Sequence, residues 1–303
     1  MLSPDALRKE LVALQSQTSR PFNANFFCHV PPTPDAKREA AWRALLAPYY
    51  NEFGIAPENI SAGPGRAPFS HEAADVLSEF KPPVVSFHFG LPSPELLARV
   101  CAWKPIILST ATTLDEARWL EAHGVDGIVA QGLEAGGHRG HFLSRDLTMQ
   151  MGTLALVPQI VRDVKVPVIA SGGVADAKGV AAVMALGAAG VQPGTAYLLC
   201  PEATTRSVHR AALKSDAARH TALTNLFSGG PARGIVKRLM RELGPMNPAA
   251  PAFPLAAAAM APLRARAEAG GSGDFSPLWS GQNPTGCKEI PAARLTQELA
   301  VCL

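Results

Sequence analysis

His138 is the side chain best placed to do chemistry in this sequence. It stands in QGLEAGGHRG at residues 131–140, with glycines on both sides. Glycines let a backbone come close to a flat ligand, and the histidine would then project over it. A neutral imidazole there could take or give a proton near pH 7. The alternative is a surface-loop histidine, the reading that suits His123, His209 and His220, while His141 reads as facing solvent. His88, in SFHFG at 86–90, is flanked by phenylalanines; it either lines a pocket beside Phe89 or is hydrogen-bonded in the core.

Two glycine sites point to an anion. Ser171-Gly172-Gly173 and Gly194-Thr195 each follow an apolar run and would let backbone N–H groups approach a phosphate. In βα barrels the phosphate site lies in the loops after the last two strands, next to a helix N-terminus. The helix opening at Asp176 would supply the dipole. Either glycine site alone could be a tight turn; at adjacent strand ends they read together as a phosphate site. Other chemistries lack their signatures. No His-Glu-x-x-His or acid/histidine cluster has metal-ligand spacing, so no metal is expected. There is no Gly-x-Ser-x-Gly elbow, no Walker lysine motif and no Gly-x-Gly-x-x-Gly after a strand; Gly63-Pro64-Gly65 reads as a turn. Redox chemistry would therefore need an organic cofactor held at the glycine sites.

These residues need a scaffold that gathers strand ends. Apolar runs at 22–27, 84–88, 106–110, 127–131, 166–170 and 190–198 read as strands. Helices read between them from Ser93-Pro94-Glu95, from near Thr113 to Gly124, near Thr153–Val164, and from Asp176 to Leu186. Ser3-Pro4-Asp5 and Thr33-Pro34-Asp35 open two earlier helices, and 55–70 reads as loop. This alternation means parallel βα units. Asn25, His88, Thr110, Gln131, Ser171 and Gly194 then fall at or just after strand ends, where a βα barrel keeps its active face. After Leu199 the pattern changes: residues 202–269 show helical stretches and no clear strand, and Gly270–Gly273 reads as a connector before LWSGQ at 278–282.

Composition sets the bounds. The chain has 303 residues, 47% of them hydrophobic, and a net charge of +3, which excludes disorder and argues against a nucleic-acid platform. Five cysteines, far apart and without a Cys-x-x-Cys pair, fit a reducing cytoplasm and encode neither a zinc ribbon nor a redox dithiol. The opening residues do not read as a signal peptide, and no apolar stretch is long enough to span a bilayer, so no membrane partner is expected.

AQGLEAGGHRG at 130–140, PVVSFHFGLP at 83–92, PVIASGGVAD at 167–176 and GVQPGTAYLL at 190–199 together resemble the nitronate monooxygenases. PFNANFF at 21–27 and LWSGQ at 278–282 extend the resemblance over nearly the whole chain. It implies an FMN-binding (β/α)8 TIM barrel over 1–201, a smaller helical second domain over 202–276 and a return segment over 277–303. Asn25, Gln131, Gly136 and Gly137 would line the ring and ribityl parts of FMN. Ser171, Gly172, Gly173, Gly194 and Thr195 would hold its phosphate, and Gln282 would reach the flavin from the second domain. His138 would be the catalytic residue, a base toward a neutral nitroalkane and a hydrogen-bond partner for an anionic nitronate. The implied reaction takes nitronates such as propionate 3-nitronate, with O2, to a carbonyl compound and nitrite. A flavin-dependent enoyl or quinone reductase and an inactive barrel copy are the alternatives, and a homodimer is left open.

Two departures from that pattern bear on the fold. Pro193 stands before Gly194-Thr195, where the family has an aliphatic residue or methionine. Six strands are read where a closed barrel has eight, so the barrel is expected to lack its first two strands and Met1 not to be the natural start.

Overall fold

The computed structural model describes residues 2–56, 58, 60 and 66–302. Gly63-Pro64-Gly65 lies outside the described residues.

Six short strands form one parallel sheet: β1 (Asn23–Phe27), β2 (Val84–His88), β3 (Ile106–Ala111), β4 (Gly127–Gln131), β6 (Val168–Ser171) and β7 (Gly190–Val191), in that spatial order. A second, three-stranded antiparallel sheet runs β5 (Gly137–His138), β9 (Ala232–Ile235), β8 (Thr221–Thr224). The parallel sheet is open, with β1 and β7 as its outer strands. The fold class is α/β, as the alternation requires.

Helices α1 (Pro4–Gln17), α2 (Ala36–Glu52), α3 (His71–Phe80), α4 (Pro94–Cys101), α5 (Leu114–Ala122), α6 (Thr153–Asp163) and α7 (Ala177–Ala185) come before or between the strands of this sheet. Side chains alternate across a strand. Val85, Phe87, Ile107, Ile128, Ala130, Val168 and Ala170 therefore share one face and pack with Leu77, Leu120, Leu156 and Ile160 of the helices. The opposite face carries the polar residues of the strand ends. At its lower end a cavity of about 600 Å3 lies among Ile106, Leu108, Gly127 and Ile169.

Beyond β7 come α8 (Ser207–Leu213), α9 (Arg238–Leu243), α10 (Ala256–Ala269) and α11 (Ala292–Leu299). A second core joins Leu226, Phe227, Met240, Met260, Leu263 and Phe275 to Trp42, Leu46, Tyr49 and Tyr50 of α2. Although α2 precedes most of the parallel sheet in sequence, its apolar side packs with the later part of the chain. Tyr50 donates to the Ala259 carbonyl at 2.8 Å and seals that contact.

Three expectations need correction. The run 190–198 is strand only at Gly190–Val191 and becomes a 3-10 helix at Thr195–Leu199; Pro193 lacks the N–H that would continue the ladder. Residues 202–269 are not purely helical, because β8 and β9 lie within them. The helix expected from Thr33-Pro34 begins at Ala36, because Asp35 is the residue that caps it, accepting from the Lys37 and Arg38 N–H groups.

Candidate functional site

The loop after β4 is held at almost every residue. It leaves the parallel sheet at Gln131, turns, and returns as β5 paired with β9. Arg139, fully buried, donates to the Gly132 and Gln131 carbonyls at 2.7 Å each and to Gln150 Oε1 at 2.6 Å. Burial lowers its pKa to about 10. The Gln131 amide donates to the His138 carbonyl at 3.0 Å and accepts from the Gly140 N–H at 2.9 Å. Glu134 accepts from the Thr153 N–H and hydroxyl at 2.8 and 2.9 Å. It thereby caps α6, whose own cap residue, Gly152, has no side chain to do so.

The His138 ring is buried inside an aromatic ring of neighbours. Phe253 and Trp279 lie at 5.0 and 5.4 Å between centroids, Phe27 and Phe89 at 6.0 and 6.3 Å. Ser228 Oγ is 2.8 Å from Nε2, and Nδ1 has no hydrogen bond to the described residues. Burial first, and then the charges of Arg66, His88 and His29, push its pKa down to about 3. The imidazole is therefore neutral near pH 7. The Ser228 hydroxyl also lies 3.4 Å from the Gly230 carbonyl; when it turns to Nε2 instead, Nδ1 carries the proton and can donate to an anion.

His88 supports this arrangement from below. Its Nε2 lies 3.2 Å from the His138 carbonyl, which can only accept, so Nε2 bears the proton and Nδ1 accepts from Thr110 Oγ1 at 3.1 Å. Both nitrogens are thus used by the protein, which fits the hydrogen-bonded reading of His88. Phe89 faces the aromatic group, 5.1 Å from Phe27 and 5.4 Å from Phe253. It holds φ +69°, a left-handed conformation that costs a bulky residue strain and that here turns its ring toward the site.

Beside this group lies a cleft of about 280 Å3. It gathers Gln131, Gly136, Gly137, Ser171, Gly172, Gly173, Gly194 and Thr195, with Gly281, Asn283 and Trp279 from the return segment. Among the described residues, no acid and no base lines it. Gly172 and Gly173 have φ of +114° and +74°, and the N–H groups of Gly173, Val174 and Gly194 donate to no acceptor among the described residues. Gly194 is the telling position. Its φ of −109° suits any residue, and a Cβ there would meet nothing within 4 Å, so the fold itself makes no demand for glycine. A ligand that needs bare backbone would make that demand. Gly136 is different, since its Cβ would lie 2.5 Å from the Gly281 nitrogen. A phosphate and its sugar chain fit such a cleft, held by backbone donors as at a helix N-terminus.

Two expected contacts lie elsewhere. Asn25 is exposed on β1, accepting from Ser86 Oγ at 2.8 Å, and lines a separate groove with Leu7 and Leu11. Gln282 is exposed and does not line the cleft; its backbone N–H donates to the Glu134 carbonyl at 2.9 Å.

On the other side of Trp279 a chamber of about 380 Å3 opens from His138. Phe227, Ser228, Met260 and Phe275 form part of its wall, with Arg66, Arg206 and Arg264. None of these was legible as a site residue. Ser228 opens a Ser-Gly-Gly like that at 171–173 but follows no run that reads as a strand, and the arginines look like ordinary surface charges. Arg139 could have been found, because it stands inside the glycine-rich motif. His141 is half-buried rather than solvent-facing, with burial lowering its pKa.

The comparisons with known proteins agree over nearly the full length. The sequence profile of the family described as nitronate monooxygenase matches residues 1–301. A nitronate monooxygenase of Pseudomonas aeruginosa is 41% identical over 287 residues, covering 93% of this chain and 81% of the relative. One of Paraburkholderia phytofirmans is 38% identical, covering 98% and 82%. Among solved structures, nitroalkane oxidase from Streptomyces ansochromogenes superposes with a TM-score of 0.87 at 36% identity, over 98% of this chain and 84% of that one. FabK from Thermotoga maritima gives 0.69 at 26%, over 98% and 80%. With the family's profile matched from end to end and its named relatives this similar, the chain belongs to the nitronate monooxygenase family.

Proposed function

We propose that this protein is an FMN-dependent enzyme that oxidises alkyl nitronates of the propionate 3-nitronate type with O2, giving a carbonyl compound and nitrite. Family membership supports the reaction, and the glycine cleft beside a buried neutral histidine supports its place. FMN, when bound, supplies the acceptor for the electron that leaves the nitronate. Gln131, Gly136, Gly137, Ser171, Gly172, Gly173, Gly194 and Thr195 would hold it, with bare backbone toward the phosphate; Asn25 and Gln282 would add contacts only from the periphery.

His138 would orient the substrate. A group neutral above pH 4 is a poor base toward a nitroalkane but a good hydrogen-bond donor to the oxygen of an already anionic nitronate. Ser228 would fix its tautomer, and Phe27, Phe89, Phe253 and Trp279 would keep water from the reacting carbon. Residues 202–276 would act as a lid over the parallel sheet, with 277–303 as the segment that locks it down. No helix of the described residues is long and apolar enough to cross a membrane. The free thiols of Cys28, Cys101, Cys200 and Cys287 support a cytoplasmic setting.

The visible absorption spectrum of the purified protein, followed by nitrite release and O2 uptake with propionate 3-nitronate, tests the reading. Bound FMN and nitrite formation without nicotinamide are expected. Flavin bleaching by NADH with no nitrite would replace it with a reductase.

A further inference from the structure

Between Gly281 and Cys287 the return segment is tied to each of the three loops that build the glycine cleft. The Gly281 N–H donates to Thr195 Oγ1 at 2.9 Å, the Gln282 N–H to the Glu134 carbonyl at 2.9 Å, and the Cys287 thiol to the Thr195 carbonyl at 3.1 Å. At Gly286 the fit is tight, since a Cβ there would lie 2.2 Å from the Ala175 carbonyl oxygen. Asn283, which lines the cleft, makes the remaining tie through its side chain.

The Asn283 amide is set from both ends. Its Oδ1 accepts from the Thr285 hydroxyl at 2.6 Å and from the Thr285 N–H at 3.3 Å, so the NH2 faces the other way. There Nδ2 donates to the Gly173 carbonyl at 3.0 Å. A peptide unit is planar and trans, so holding that carbonyl also fixes the direction of the Val174 N–H, which has no acceptor among the described residues. An amide NH2 carries two hydrogens, and the second one of Asn283 meets no acceptor among the described residues either. Near pH 7 a phosphate monoester is close to a dianion, while no Lys or Arg of the described residues lines the cleft. Its charge must be met by N–H and O–H donors, and a donor is worth most on a charged acceptor.

We propose that Asn283 is a phosphate ligand: one amide hydrogen holds Gly173 in place and the other donates to a phosphate oxygen of FMN. This rests on the FMN cofactor proposed above and adds to it a binding residue from the return segment. Thr285 is then a positioning residue, because it turns the amide NH2 toward the cleft.

The apoprotein is titrated with FMN and with riboflavin, which lacks only the phosphate, and flavin fluorescence gives both dissociation constants. Asn283→Ala should weaken FMN by about tenfold or more, the value of one hydrogen bond to a charged group, and leave riboflavin unchanged. Asn283→Asp keeps the acceptor for Thr285 but brings a negative charge to the phosphate, and should weaken FMN further. Thr285→Val frees the amide to rotate and should give a smaller loss, again confined to FMN. Equal loss of both flavins, or loss of neither, overturns the proposal, because a tie that only held the segment down would act on both alike. Melting curves of the apoproteins identify a variant that fails to fold, and Thr285→Val then carries the comparison. Inorganic phosphate separates the two readings. A melting temperature that phosphate raises in wild type but not in Asn283→Ala, in a protein that binds no flavin, would keep the phosphate site and remove the FMN enzyme. Nitrite formation by an Asn283→Ala protein that keeps the wild-type preference for FMN over riboflavin would do the reverse.

Discussion

The glycine cleft and the aromatic chamber share Trp279 yet are made of different things. The cleft is mostly backbone, drawn from the loops after β4, β6 and β7. The chamber is side chain, drawn from residues 66, 138, 206 and 227–279. The difference matches what each would hold. A phosphate-bearing cofactor of fixed shape can be gripped by amides that glycines leave bare. A substrate is distinguished by volume and charge, which only side chains supply.

The sharpest break between the two regions is His138→Ala. Turnover should fall by about 10²- to 10³-fold, while FMN absorbance stays, because His138 belongs to the chamber wall. Nitrite release against flavin content measures both; a loss of flavin would mean that the regions are one site.

Within the cleft, two glycines should behave oppositely. Gly194→Ala adds a Cβ where the protein has no atom within 4 Å, so the melting temperature should hold while FMN affinity drops about tenfold or more by overfilling the site. Gly136→Ala would push against the Gly281 nitrogen and the Ser280 carbonyl carbon, at 2.5 and 2.6 Å, and should cost about 1–3 kcal/mol of stability. Thermal melts with and without added FMN separate a ligand glycine from a packing glycine.

Ser228→Ala is a smaller probe of the chamber. Losing the hydroxyl that orients Nε2 should lower kcat on nitronates about tenfold, with little change in FMN binding. An unchanged kcat would show that the aromatic ring alone fixes the imidazole.

The smallest effect is on stability against pH. Folding lowers the pKa of His138 to about 3 and of His88 to about 4, from an ordinary 6.5. Below pH 6.5 the unfolded chain binds protons that the folded chain does not. The stabilisation is thus complete above pH 6.5 and is lost as pH falls toward 4, by up to about 1.4 kcal/mol per unit for each histidine. Urea unfolding at pH 7 and pH 5 should show that slope, and His138→Asn should reduce it.

Much of the scaffold was legible in the sequence. β2 and β4 fall where the runs 84–88 and 127–131 place them, because each is a short run rich in β-branched or aromatic residues bounded by loop signals. β8 and β9 were not legible. β9 reads Ala-Arg-Gly-Ile, and all four residues are buried, so no alternation marks it. Arg233 is buried there because its Nε donates to the Leu133 carbonyl at 2.9 Å, a partner a hundred residues away.

The same boundary runs through the site. The sequence by itself determined the parallel βα scaffold, the glycine loops and His138, because period, turn chemistry and glycine content are local properties written in adjacent residues. Only the tertiary structure decided that His138 is neutral, that Ser228 orients it, and that Arg66 and Arg264 share a chamber with it. Burial and charge proximity are sums over neighbours distant in sequence, and nothing in a local pattern records them.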